Sequence, residues 1–238
     1  MAVGATEKAG DTPRSESVSW REQAVARSLD SARSRAENRV QRFIGAALEL
    51  ITTNGGKDFT VQEVVERSGQ SLRSFYQHFD GKHELLLALF EESVLSTVEY
   101  LRERIRGESD PLERLHRFVV EYYLACNRPT GQSAMPRKGA PPVVTDFAQQ
   151  LLTERPKEAA RAFAPLVDMF RELLDDALAA GMVRTGLGGR AAGMVLEAVM
   201  FNAFSSTIGG TSARADDNHA AEELWDLVAH GIVATPRS

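Results

Sequence analysis

At 238 residues, with 43% hydrophobic and 26% charged side chains, the chain is long and apolar enough to bury a substantial core, which excludes a free-standing peptide. It holds no stretch of ~18 uncharged apolar residues, which excludes a helical membrane span, and its single Cys126 excludes an internal disulfide or a cysteine-built zinc site. The net charge of −5 is uneven: residues 33–82 hold eight Lys/Arg against six Asp/Glu, residues 83–238 sixteen against twenty-two.

Met1 to about Ser19 is Gly, Ser, Thr, Pro and charge, the composition of a disordered tail. It lacks the apolar core of a signal peptide, so a cytoplasmic location is expected. Trp20 to about Ala36 is Arg/Ala-rich and compatible with either a helical arm or a flexible one. From Val40 the apolar residues Phe43, Ile44, Ala47, Leu48 and Ile51 recur at three- and four-residue steps, which predicts an amphipathic helix stopped by Asn54-Gly55-Gly56. Thr60 with Glu63 forms a capping-box pattern for a short helix ending at Gly69. Ser71 then caps a second short helix, Leu72 to Phe79, before the Asp80-Gly81 turn.

Further helices are predicted for Lys82 to about Arg106, for the stretch holding Leu112 to Tyr123, a shorter one for Val143–Thr153, and others for Pro156 to about Ala180, for Gly188–Ile208 and for Ala220–Val233. No stretch alternates strictly enough for a sheet. The expected fold is all-α: three short helices followed by about six mostly longer ones. The expected division is a flexible tail or arm over 1–32, a DNA-binding domain over 33–82 and a helical effector-binding and dimerisation domain over 83–238.

Residues 59–79 have helix-turn-helix spacing, two short helices around a glycine-containing turn. Such a pair serves DNA because the first helix packs across the second, which then lies in a major groove. Val61, Val64, Val65, Phe75 and Phe79 form the expected inner face, leaving Arg73, Ser74, Tyr76, Gln77 and His78 partly outward. Pattern alone fits a generic helical hairpin equally well.

Phe59-Thr60-Val61, Gly69 with Ser71, and Ser74-Phe75-Tyr76-Gln77-His78-Phe79 followed by Lys82 and Glu84-Leu85-Leu86 resemble the signature of TetR-type regulators. The likeness covers roughly Arg39 to Leu89. It implies that Thr60 meets a phosphate through its hydroxyl and backbone amide, that Ser71, Ser74, Tyr76 and His78 hold phosphates or flank bases, and that Lys82 anchors the DNA backbone. It also implies that Arg73 and Gln77 reach bases, where arginine suits guanine and glutamine adenine. Gln70, Leu72 and Arg73 depart from the family pattern, so base specificity does not carry over. Leu72 either touches a thymine methyl or packs inward, packing being favoured. The basic lead-in, Arg33 and Arg35 with Arg39 and Arg42, suits phosphate or minor-groove contacts.

The resemblance further implies a ligand cavity in the C-terminal helices. Phe118, Tyr122, Phe147, Met169, Phe170, Met200, Phe201 and Phe204 are its candidate lining residues and point to a hydrophobic effector, with Asn202, Tyr123 and His116 as polar handles. The last two helices, carrying Ala191, Val195, Val199, Leu224, Leu227 and Val228, resemble the family's dimer interface, so a homodimer on a palindromic operator is expected. No cofactor, metal or catalytic site is expected. There is no His-Glu-x-x-His, nucleophile elbow or Walker lysine, and Gly186-x-Gly188-x-x-Ala191 lacks the strand context of a dinucleotide site. The function expected is therefore a ligand-responsive repressor, with an activator of the same family or a helical protein-interaction module as alternatives.

Overall fold

The computed structural model describes residues 19–53, 59–127, 142–184, 189–204 and 217–232, and a few side chains within these ranges, Phe201, Asn202 and Phe204 among them, fall outside the description. Nine helices occupy the described residues: α1 Trp20–Thr53, α2 Val61–Ser68, α3 Leu72–Tyr76, α4 Lys82–Ile105, α5 Pro111–Asn127, α6 Pro142–Glu154, α7 Pro156–Ala179, α8 Gly189–Phe204 and α9 Asp217–Ile232. The fold is all-α, as the periodicity predicts. Among the described residues only an isolated bridge at Val183 departs from it, where Arg184 N–H donates to the Ile232 carbonyl and ties the exit of α7 to the end of α9.

Two lengths differ from expectation. The first helix is not short, because the Arg/Ala-rich stretch is helical and continues without a break into the amphipathic segment, giving 34 residues. The second short helix ends at Tyr76 rather than Phe79, with Gln77 as its C-cap and both His78 N–H and Phe79 N–H turned back onto the Phe75 carbonyl.

The described residues fall into two compact units that part at Arg42 and Phe43. The first is the arm of α1, exposed along almost its whole length. In the second, the end of α1 buries Phe43, Ile44, Ala47, Leu50 and Ile51, and α2 and α3 bury Val64, Val65 and Phe75. The C-terminal helices share one core in which Phe90, Leu101, Leu115, Phe118, Leu166, Phe170, Leu173, Val199 and Ala221 are almost fully buried. Polar contacts fix the helix pairing around that core: Tyr100 Oη–H donates to Glu121 at 2.6 Å, Arg114 pairs with Asp176 at 2.8 Å, and His116 Nε2 lies 2.7 Å from Glu222.

Candidate nucleic-acid interface

α2 begins because Thr60 and Glu63 satisfy the backbone donors that a helix start leaves open. The Thr60 hydroxyl oxygen accepts from Glu63 N–H at 3.2 Å, and the Glu63 carboxylate accepts from Thr60 N–H at 2.7 Å. Phe59 and Val64 hold the two positions of a hydrophobic staple, and both are buried. α2 ends because Gly69 adopts φ 64°, a conformation that a β-carbon disfavours, which lets Gln70 N–H return to the Val65 carbonyl. The turn is therefore tight, and Ser71 restarts the chain as N-cap of α3, its hydroxyl accepting from Ser74 N–H at 3.1 Å.

An aromatic cluster holds α3 against α1. The Phe43 ring meets Phe75 edge-on at 5.4 Å and Phe79 at 6.1 Å, while Phe75 and Phe79 lie 5.3 Å apart. Edge-to-face contacts of this kind add about 0.5–1.5 kcal/mol each beyond the area they bury. The salt bridge of Arg67 to Glu49 at 3.6 Å joins α2 to α1 from outside.

With Phe75 and Phe79 turned inward, the opposite side of the segment is presented to solvent. Arg73 and Gln77 are exposed, Tyr76 is 56% exposed and Leu72 43% exposed. Leu72 thus departs from the inward packing favoured for it: Phe75 fills the space beneath α3, and Leu72, at the first helical position, stands beside Arg73. Tyr76 is exposed yet braced, its ring edge-on to Phe75 at 5.4 Å. Ser74 is half-buried. His78 is half-buried too, and its Nε2 is buried without a hydrogen-bond partner among the described residues. Lys82 opens α4 with its ammonium 4.9 Å from the centre of the Phe59 ring. Val61 is only partly buried, whereas Phe59, which sequence reasoning did not place in the inner face, is 2% exposed.

Thr60 departs from its expected geometry in one respect. Both groups assigned to phosphate, its hydroxyl and its amide, donate to the Glu63 carboxylate, at 2.8 and 2.7 Å. Arg33 is likewise committed, to Glu37 at 2.8 Å, a partner that raises its already high pKa. Arg35 Nε–H donates to the Ser31 carbonyl one turn back.

The candidate ligand residues divide differently from expectation. Phe118, Tyr122, Phe147, Met169 and Phe170 are 0–5% exposed and belong to the shared core, and burial drives the Tyr122 phenol pKa well above its ordinary value. A groove of about 920 Å³ lies instead between α6, α7 and α8. Leu152, Ala159, Ala164, Phe163, Val167 and Leu196 line it, with Arg171, Asp168 and Glu197 as charged groups. Of the eight candidates only Met200 is found among its walls; the side chains of Phe201 and Phe204 lie outside the described residues. Of the handles, His116 is held between Glu113 and Glu222, and Tyr123 is buried. On α8 and α9, Val199, Leu224 and Val228 are buried within the single chain, leaving Met194, 63% exposed, and Leu227, 74% exposed, outward.

The arrangement of α1 to α3 followed by a larger helical domain is that of a helix-turn-helix protein. Residues 43–89 match the family model of bacterial regulatory proteins of the tetR family. Over those residues the chain is similar to that family. Over 89 residues it is 34% identical to the HTH-type transcriptional activator FasR of Mycolicibacterium smegmatis, a match covering 37% of this chain and 40% of the relative. Over 88 residues it is 25% identical to the uncharacterised HTH-type transcriptional regulator YvdT of Bacillus subtilis, covering 37% and 45%. The chain thus matches less than half the length of these relatives. The FadR regulator of Bacillus subtilis, solved with stearoyl-CoA, superposes with a TM-score of 0.61 at 18% identity over 80% of this chain and 98% of that one. Thermus thermophilus FadR, solved with lauroyl-CoA, gives 0.58 at 20% over 84% and 98%. At such identities the likeness carries the fold alone. No described helix is long and apolar enough to cross a membrane.

Proposed function

We propose that the chain is a ligand-responsive transcriptional repressor that binds a palindromic operator as a homodimer. The observation that carries this reading is the outward row Leu72, Arg73, Tyr76 and Gln77 above a rigid aromatic floor. An α-helix offered in this way fits the major groove, where its first residues meet base edges and flanking hydroxyls meet phosphates. In this reading Thr60, Ser71, Ser74, His78 and Lys82 position the DNA backbone, while Arg73, Gln77 and Leu72 read bases. The dimer forms through α8 and α9, on which Met194 and Leu227 remain uncovered.

The effector in this proposal is an amphipathic molecule with an extended apolar part, held in the groove between α6, α7 and α8 rather than among the phenylalanines of the core. The groove volume suits a ligand of that kind. The acyl-CoA ligands of the two FadR neighbours support the class. Release follows when the effector binds more tightly to a state whose recognition helices are mis-spaced, and its size equals that differential affinity.

The test measures DNA binding upstream of the chain's own coding region at two salt concentrations, with and without lauroyl-CoA and stearoyl-CoA as probes. Specific, salt-sensitive binding weakened by a probe, and insensitive to it in an Ala164→Trp variant that fills the groove, is the expected result. An absence of specific DNA binding overturns the reading in favour of an interaction module. The similarity to an activator supports a second reading, activation of transcription, which a reporter assay separates by the sign of its response.

A further inference from the structure

The arm of α1 carries six arginines, Arg21, Arg27, Arg33, Arg35, Arg39 and Arg42. At about 100° per residue, Arg21, Arg27, Arg35, Arg39 and Arg42 fall within an arc of about 120°. Arg33 alone faces away from them, and Arg33 alone is neutralised, by Glu37 at 2.8 Å. Asp30 and Glu37 occupy the side opposite the arc, so the acidic residues do not interrupt it. All five arginines are in exposed positions, and no ion pair among the described residues engages them. Arg21 rests on the Trp20 ring at 5.5 Å, and Arg35 bonds only its own helix.

We propose that this five-arginine arc is a second DNA-binding surface that runs along the phosphate backbone outside the operator half-site. The inference rests on the helix-turn-helix reading above. Three observations favour DNA as the occupant. The arc is one-signed and complementary to a polyanion. It extends about 31 Å from Arg21 to Arg42 at 1.5 Å per residue, the length of about nine base pairs. The residue after Arg42 is Phe43, whose ring holds Phe75 and Phe79 of the recognition segment, so the arc is continuous in sequence with the DNA-binding core. A membrane surface fits less well. The neighbouring apolar stripe has Val25 and Leu29 as its only bulky members before alanines take over at 32 and 36, and Glu22 stands within it.

The test uses the full chain and two duplexes taken from upstream of its own coding region, one of 16 and one of about 40 base pairs, the longer admitting a nine-base-pair flank on each side. For the wild type, affinity for the longer duplex should be the greater, with a steeper fall against salt. R21Q/R27Q/R35Q/R39Q should flatten that slope by about four to seven, at ~0.9 per lost phosphate contact over the two arms of the dimer, and weaken binding at least about tenfold at low salt, while binding to the short duplex changes little. The matching Arg→Lys variant, with the same charge, should keep the slope. Arg33→Gln should keep it as well, since that side chain is off the arc.

An unchanged slope in the glutamine variant overturns the proposal, as does an equal loss from Arg33→Gln. So does a glutamine variant whose only defect is weaker binding to vesicles containing phosphatidylserine, or weaker self-association. Failure of the helix-turn-helix reading itself is distinct: the wild type would then bind neither duplex specifically.

Discussion

His83 Nε2 lies 2.8 Å from the Glu158 carboxylate, joining the first turn of α4 to the first turn of α7 across 75 residues of sequence. Arg155 donates to the other oxygen of the same carboxylate at 2.9 Å, and the His83 ring lies 5.3 Å from Phe147 of α6. α4 follows directly on the helix-turn-helix, and α6 and α7 form two walls of the groove. The contact therefore connects the element that follows the helix-turn-helix to two walls of the groove.

The hydrogen bond from His83, then that from Arg155, holds the Glu158 carboxyl below the usual carboxylate range. A carboxyl whose folded pKa lies under its unfolded one stabilises the fold fully above the unfolded value, about 4.3, and loses that contribution as pH falls through the folded value. Glu158→Gln should thus be less stable than wild type at neutral pH, with the gap closing in acid below that value. Urea denaturation of both proteins across pH measures the gap, and a gap constant down to the acid limit contradicts the assignment.

Gly69→Ala should destabilise the protein by about 1 kcal/mol. A β-carbon at Gly69 meets nothing within 4 Å, so the cost comes from the left-handed backbone alone, about 1–2 kcal/mol less the entropy that alanine removes from the unfolded chain. Gly69→Asn should cost less, because asparagine tolerates that conformation better. Equal losses from both substitutions in urea melts would mean that space, not backbone, is limiting.

Arg73→Ala should relax base preference at one position of each half-site, a loss of about 1–3 kcal/mol in discrimination. Selection from a randomised duplex pool reads this directly, and a uniform fall across all sequences would make Arg73 a phosphate contact instead. Leu72 has its own assay. If its exposed side chain meets a thymine methyl, replacing that thymine by uracil weakens the wild type but not Leu72→Ala.

Leu227→Glu, alone or with Met194→Glu, should shift sedimentation toward the monomer without lowering the melting temperature of that monomer, since both side chains point away from the core. Val228→Glu, by contrast, should unfold the chain, because Val228 is 8% exposed within it. A dimer untouched by the paired substitution would put the interface elsewhere.

The helices were legible in the sequence because their punctuation is local: Thr60 with Glu63, Gly69 and Ser71 stop and start the chain where they stand. The groove was not. Reasoning from large apolar residues selects Phe118 and Phe170, which fill the core, whereas a groove is where Pro156, Ala159, Ala160, Ala164 and Gly193 leave volume unfilled. The place of Arg33 was illegible as a count of charges and legible only as an angle. Phe59 carried a signal that went unused, an aromatic one residue before a helix cap, the first half of a hydrophobic staple.

Glu63 occupies the anion position at the start of α2, its carboxylate accepting from the Thr60 hydroxyl and amide. A DNA phosphate approaching Thr60 meets that carboxylate first, as a competitor for the same donors and as a like charge. Glu63→Gln keeps an acceptor for the Thr60 amide and removes the charge, so it should raise DNA affinity severalfold at low salt, the gain shrinking as salt screens the repulsion. Thr60→Ala removes the cap and the donor hydroxyl together, so it should lower both DNA affinity and stability, the latter by about 1 kcal/mol. The two substitutions act on one hydrogen-bonded pair, and their effects should not add: in T60A/E63Q the gain from glutamine should be smaller than in E63Q alone. Anisotropy titrations at two salt concentrations measure all four proteins. Full additivity, or a fall in affinity for E63Q, would mean that phosphate does not approach Thr60.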